Sequence, residues 1–426
     1  MNATNPLGMS DEIKANLSNP ESLEKLYRSD RKAFRAAFES NYPEFENTGS
    51  APFWKARLEY DSTPDILKAI TIDEMITVAV ACLVTAFLIK IPAMIHLPYS
   101  EEAFYFKNAA IIVFFGLSLY SLRNHRAVDP KKALMTGIGF LVIAVYSNLL
   151  PSEKPADAVE LAYIHLPFLM WFIYGIVYTD YDFKNPGKRI DFIRHNGDLA
   201  IVYALIAIAG GILTGITIGL FESIGLSIEE FYMKNIVMTG AAVAPILAAL
   251  IISKFPSLVS KTAPLIAAIF SPLVLITLVI FLFTMLMSGK DPYNDRDFLI
   301  IFNVMLLAVM GIIIFSVSET SVIKNQKFNA IILFALSIIT IVIDLIALSA
   351  IFYRLGDGLT PNRLAVLVSN LLVLANLIMI MADLFRINFK KREFTLVEVT
   401  VARFLPVYLA WIIIVVFGFP LVFGMK

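Results

Sequence analysis

The chain has 426 residues, of which 58% are hydrophobic and 16% charged, and its 35 basic and 35 acidic side chains cancel. A soluble protein carries about 25% charge, so a single large water-soluble core is excluded, and the balanced charge gives no reason to invoke nucleic acid. The single cysteine, Cys82, can form neither an internal disulfide nor a cysteine-based metal site, and it reads as a small buried hydrophobe.

The first segment, 1–62, is polar and lacks the apolar core of a signal peptide, so the N-terminus is expected to stay in the cytosol. Asn19, Pro20 and Glu21 read as an N-cap, a first helical proline and an acid favourable to the helix dipole. Leu23, Leu26 and Tyr27 follow on one face. A second helix is predicted from Ser29 with a stripe of Phe34, Ala37 and Phe38, and a third from Ser50 through Phe53, Trp54 and Leu58. Three short amphipathic helices bury little surface by themselves. Their stripes are therefore expected to dock on the cytoplasmic loops, on lipid headgroups, or on a protein partner or second copy.

From 63 to 426 the chain repeats one event about eleven times: an apolar run long enough to cross a bilayer, then a short polar break. Leu199–Phe221 and Ala263–Met287 contain no Asp, Glu, Lys or Arg. Hydrocarbon offers no hydrogen-bond partners, so each run must be a helix. The predicted spans lie near 71–91, 104–122, 133–150, 159–178, 199–221, 235–253, 263–288, 298–318, 329–353, 364–386 and 398–423. The fold expected is thus an all-α polytopic bundle of about eleven spans behind a small cytosolic helical segment. With the N-terminus inside, the cytoplasmic loops are the richer in Lys and Arg, including Lys131, Lys132, Lys184, Lys188, Arg189 and Arg194. The odd span count then places Lys426 outside, and Pro406 and Pro420 could bend the last run or make it re-entrant. The similar stretches Ala244–Ala249 and Ala263–Ala268 read as small-residue helix packing, not as an inverted repeat.

Ionisable residues in a membrane interior are costly and are the default candidates for function. Asp344 stands near the middle of its helix, and in depth it falls between Asn370 and Asn376 on the next. Two readings remain open: an acid flanked by amides that binds a proton, a cation or a polar solute, and a protonated acid that ties two helices together. Asp383 and Arg403 match in depth and form a second candidate, either the inner end of a polar path from Asp344 or an inter-helix ion pair with Arg403 snorkelling. The outer loop from Arg354 to Arg363 predicts Thr360 as N-cap, Pro361 as first helical residue, and Gly356 and Gly358 at positions of free backbone sign around Asp357. Its arginines, Arg354 and Arg363, beside a helix N-terminus could attract an anion. Glu160 and His165 lie on different helix faces. His96, His125 and His195 lack the spacing of a zinc motif and read as neutral surface histidines, so no metal site is expected. The Asp291–Asp297 loop has no calcium-loop spacing. No P-loop, nucleophile elbow, His-Glu-x-x-His or dinucleotide fingerprint occurs, and neither catalytic residues nor a cofactor are expected.

Three segments, Leu23–Arg28 (LEKLYR), Phe53–Leu58 (FWKARL) and Gly358–Leu364 (GLTPNRL), resemble a bacterial multi-pass membrane family catalogued as a domain of unknown function, some members of which are labelled permeases. That family has no settled activity, so no residue role transfers. The resemblance implies a bacterial inner-membrane location and raises the expectation of transport. The function expected is a secondary transporter or permease for a small solute or ion. The alternative is a signalling or regulatory membrane protein whose N-terminal helices bind a partner.

Overall fold

The computed structural model describes residues 6–60, 70–95, 97, 99–124, 129–152, 155–223, 226–256, 262–288, 296–320, 326–356 and 358–425. These are helical throughout apart from turns and connections, with no strand among the described residues. The chain divides into two compact units, Met1–Thr71 and Ile72–Lys426.

Among its described residues the first unit holds four helices: α1 (Pro6–Ala15), α2 (Pro20–Ser29), α3 (Arg31–Phe45) and α4 (Ala51–Tyr60). Asn19 caps α2 by accepting from the Ser22 amide, with Pro20 in the first turn. Asp30 ends α2 and starts α3, its carboxylate accepting from the Ala33 amide at 3.0 Å. Glu24 bonds Arg28 on its own helix and pairs with Arg57 on α4. The Arg28 hydrogen bond, reinforced by the Arg57 charge, holds its carboxyl below the ordinary glutamate range. Gly49 (φ +53°) lets the chain pass close over Leu17, where the Ser50 amide and hydroxyl both bond the Leu17 carbonyl. A β-carbon there would stand 2.7 Å from that carbonyl oxygen, which only glycine avoids.

The apolar stripes of this unit bury one another, contrary to the expectation that another surface would cover them. Phe34, Phe38 and Trp54 are nearly inaccessible and join Leu23, Tyr27 and Leu58 in one core. The difference comes from α1, which the sequence reading did not predict. It supplies Met9 and Ile13, with Leu17 just beyond, and so closes the core. Replacing Phe38 by Ala removes a buried ring, a change that costs about 3–5 kcal/mol in a packed core. This unit is expected to open in that variant, seen as faster limited proteolysis between α1 and α4. Unchanged cleavage would mean that this core does not hold the unit together.

Among its described residues the second unit contains eleven helices long and apolar enough to cross a membrane: α5 (Ile72–Ile89), α6 (Glu101–Asn124), α7 (Pro130–Leu149), α8 (Asp157–Tyr178), α9 (Pro186–Ser223), α10 (Glu229–Lys254, with a π turn at Met233–Val237), α11 (Thr262–Ser288), α12 (Arg296–Thr320), α13 (Gln326–Leu355), α14 (Pro361–Lys390) and α15 (Thr395–Phe423, with a π turn at Ile414–Gly418). The expected all-α polytopic bundle is therefore present. We call the face from which α5 departs proximal and the other distal. Contacts at helix ends agree with strict alternation. Lys254 at the end of α10 pairs with Glu74 at the start of α5, and Lys132 at the start of α7 pairs with Asp180 just after α8. At the distal ends, Asn362 of α14 bonds Asp157 of α8. Exposed apolar side chains such as Leu205, Ile208, Ile212 and Ile216 line α9 where lipid would cover them.

Two helices depart from the expected boundaries in informative ways. The polar stretch before residue 199, read as a loop, is the first part of α9. Pro186 opens it, Asn185 accepts from the Gly187 amide, and Ile190, Phe192 and Ile193 are buried beneath its charged face. The last run is a continuous helix long enough to cross a membrane despite its prolines, because side chains from elsewhere replace the missing backbone donors. Pro406 cannot donate to the Ala402 carbonyl one turn before it, and the buried Arg189 guanidinium of α9 does so. Pro420 likewise leaves the Val416 carbonyl, which the Tyr146 hydroxyl of α7 bonds at 2.7 Å.

Candidate functional site

A cavity of about 690 Å³ lies among α8, α9, α12, α14 and α15. Its wall is apolar and aromatic, with Phe168, Trp171, Met310 and Leu405 prominent. Small residues make the space: Gly311 meets nothing within 4 Å of where a β-carbon would stand, whereas Gly197 lies directly against the Phe315 ring. The polar groups on the wall are mostly tied to other protein atoms. Trp171 donates to Asn196 at 2.9 Å, Trp411 to Ser369 at 3.0 Å, and the His165 ring bonds the Leu161 carbonyl. Asn376 donates its amide to the Tyr408 oxygen at 3.0 Å, which leaves the Tyr408 hydroxyl hydrogen available.

At the proximal end, Arg194 of α9 joins three cavity-lining helices. It donates to the Ser318 carbonyl of α12 at 2.9 Å and to the Glu398 carboxylate of α15 at 2.5 Å. Glu319, beside Ser318, is 5% exposed and within electrostatic range of Asp198, Arg194 and Glu398. Adjacent His195 bonds the Tyr174 hydroxyl at 2.8 Å and stacks on Tyr178 with ring centres 4.5 Å apart, so it is not the surface histidine expected. Sequence reasoning missed this clasp. Its members come from three distant stretches and sit near helix ends, where charges usually read as anchors. The one signal available was the apolar pattern of Ile190, Phe192 and Ile193, which marks 186–198 as helix.

The candidates read from the sequence are partly brought together. Asp344 on α13 is fully buried and neither carboxylate oxygen has a hydrogen-bond partner. Asn376 on α14 is also fully buried, and its side-chain oxygen is unpartnered as well. Asn370 instead donates to Asn303 of α12 at 2.8 Å. Asp383 bonds Thr400 of α15 at 2.5 Å and Arg386 of its own helix at 2.8 Å, while Arg403 is exposed and does not join it. This corrects the expected Asp383–Arg403 pairing: Arg386 lies one turn along the same helix and reaches the carboxylate without crossing to another.

In the outer loop, Thr360 caps α14 by accepting from the Arg363 amide, and Pro361 opens the helix as expected. Gly358 takes φ +109°, whereas Gly356 has no positive φ. The Arg363 guanidinium bonds the Gly358 carbonyl at 2.7 Å and so closes the loop on itself. Arg354 sits in the last turn of α13, where a cation favours the helix dipole. Asp357, His96, His125, Lys426 and most of the Asp291–Asp297 loop lie outside the described residues. Among the described residues no group of three or more His, Cys, Asp or Glu is placed to hold a metal ion.

Comparison with known proteins finds no family model, no curated protein and no solved structure that matches the chain.

Proposed function

We propose that this multi-pass membrane protein is a carrier, a secondary transporter or permease, whose substrate is a mainly apolar small molecule bearing few polar groups. The observation that supports this most is the apolar 690 Å³ cavity between the helices, which opens at the protein surface beside the exposed Phe168, Leu307 and Gly311. Its size falls in the range of about 300–1,000 Å³ usual for small-molecule sites. A hydrated ion would find little along this wall to replace its water, so an ion as the main cargo fits less well than an amphipathic solute. The Arg194 clasp ties α9, α12 and α15 across the proximal end of the lining, and in this reading it is the proximal gate. The basic loops support a cytoplasmic proximal face, with the N-terminus inside and the C-terminus opposite. The resemblance of Leu23–Arg28, Phe53–Leu58 and Gly358–Leu364 supports a bacterial inner membrane.

A sensor is the second reading, favoured by an N-terminal unit that completes its own core and leaves its outer surface for a partner. Purified full-length protein in liposomes separates the two. Labelled fatty acid, long-chain alcohol, aromatic amine and sugar are offered in turn. A carrier is expected to speed the flux of one amphipathic class and leave the sugar untouched. A raised melting temperature with an amphipathic compound but no flux would favour the sensor. Neither flux nor a shift with any apolar compound would remove the cavity from consideration.

A further inference from the structure

The residues Asp344, Asn376 and Tyr408 come from three helices and meet in the bundle interior beside the cavity. Asn376 donates to the Tyr408 oxygen, and Tyr408 is within electrostatic range of the Asp344 carboxyl. Three oxygens at this place are buried and unpartnered: both of Asp344 and the side-chain oxygen of Asn376. Acceptors buried without donors are strongly unfavourable, and a bare carboxylate most of all. Among the described residues no charge offsets it. Helix α11, packed against α13, contains no ionisable residue. The described acidic side chains on α12 and α14, Glu319 and Asp383, stand near proximal helix ends, and both have partners of opposite charge in range. Tyr408 is the titratable group of α15 in range.

We propose that Asp344, Asn376 and Tyr408 form a binding site for a single proton, which couples the cavity to the proton gradient. One proton completes the donor count. In this structure only the bond from Asn376 to the Tyr408 oxygen is made; in the protonated site the acid turns its hydroxyl to the Asn376 oxygen and the free Tyr408 hydroxyl hydrogen turns to Asp344. The result is a closed ring of three hydrogen bonds. Removing the proton breaks the bond from Asp344 to Asn376, leaves the Asn376 oxygen without a donor and places a bare charge in the bundle interior, so the site is occupied in one state of the bundle and emptied in another. Tyr408 also lines the cavity, so an occupant that takes its hydroxyl competes with Asp344 for the same donor. Coupling in this form rests on the carrier reading; the proton site itself does not.

The test is infrared difference spectroscopy of the full-length protein in lipid at neutral pH, wild type against Asp344→Asn. The expected result is a protonated-carboxyl stretch in the wild type that is missing in the variant and unaffected by sodium or potassium. Tyr408→Phe, which leaves Asp344 in place, is expected to shift this stretch to higher frequency because it loses the hydroxyl donor. No Asp344-dependent stretch, a stretch abolished by sodium, or one unmoved in Tyr408→Phe would overturn the proposal. The stretch present without flux of any solute would leave the proton site standing and refute the carrier instead.

Discussion

Replacing Arg189 by Met is expected to destabilise the membrane unit more than any other single change near the proximal face. The guanidinium is 7% exposed and bonds three backbone carbonyls, those of Phe183, Lys184 and Ala402. Hydrogen bonds to a charged group contribute about 1.5–3 kcal/mol each, and a carbonyl left buried and unpaired costs more than the bond it lost. Methionine fills similar space but bonds none of them, so a loss of about 3–5 kcal/mol is expected. The Ala402 carbonyl is open because residue 406 is proline. Pro406→Ala restores a backbone N–H to it and is expected to return about 1–2 kcal/mol in the Arg189→Met background. In the wild-type background the same change should do little. Thermal unfolding in detergent of the four proteins of this cycle measures the coupling. Additive effects would show that the arginine and the proline act independently.

Filling the cavity should abolish function without unfolding the protein. Gly311 faces the cavity, and a side chain built on it meets open space, so Gly311→Trp enters the cavity without moving the backbone. Filling a cavity commonly stabilises by about 0.5–2 kcal/mol, and the melting temperature is expected to hold or rise. Flux of the responsive solute in liposomes should fall to the rate of protein-free vesicles. Gly210, exposed on α9 and equally open at its β-carbon, is the control. Gly210→Trp places the same bulk away from the cavity and should leave both readouts unchanged. Full flux in Gly311→Trp would show that the solute does not pass through this space. Equal losses in both variants would point to general damage.

The parts of this fold that were legible in the sequence are those decided locally. Eleven spans follow from the length of apolar runs. The caps at Asn19 and Thr360 follow from side chains that bond amides three residues away. The start of α9 was not legible, because its first turns carry Lys188, Arg189 and Arg194 and so resemble a loop until the partners of the two arginines on α12 and α15 are seen. Depth matching found Asp344 but fixes one coordinate of three. It set Asn370 beside Asp344, whereas that amide faces Asn303 across the bundle. Tyr408, the side chain that links the buried acid to the cavity, lies on a helix that depth alone did not connect to it. The shape of the cavity depends on Gly197 admitting the Phe315 ring of another helix and on Gly311 leaving open space, a relation that no single stretch of sequence displays.

The closed core of the first unit has a consequence for the order of synthesis. Every residue of that core lies between Met9 and Leu58, ahead of the first apolar helix at Ile72. These short-range contacts need no residue that is still to be translated, and domains fold as units, N-terminal first, during synthesis. The unit can therefore finish folding while α5 is still inside the ribosome. Its aromatic stripes are then already hidden when the insertion machinery begins to sort greasy segments into the bilayer, and they do not compete with the eleven that belong there.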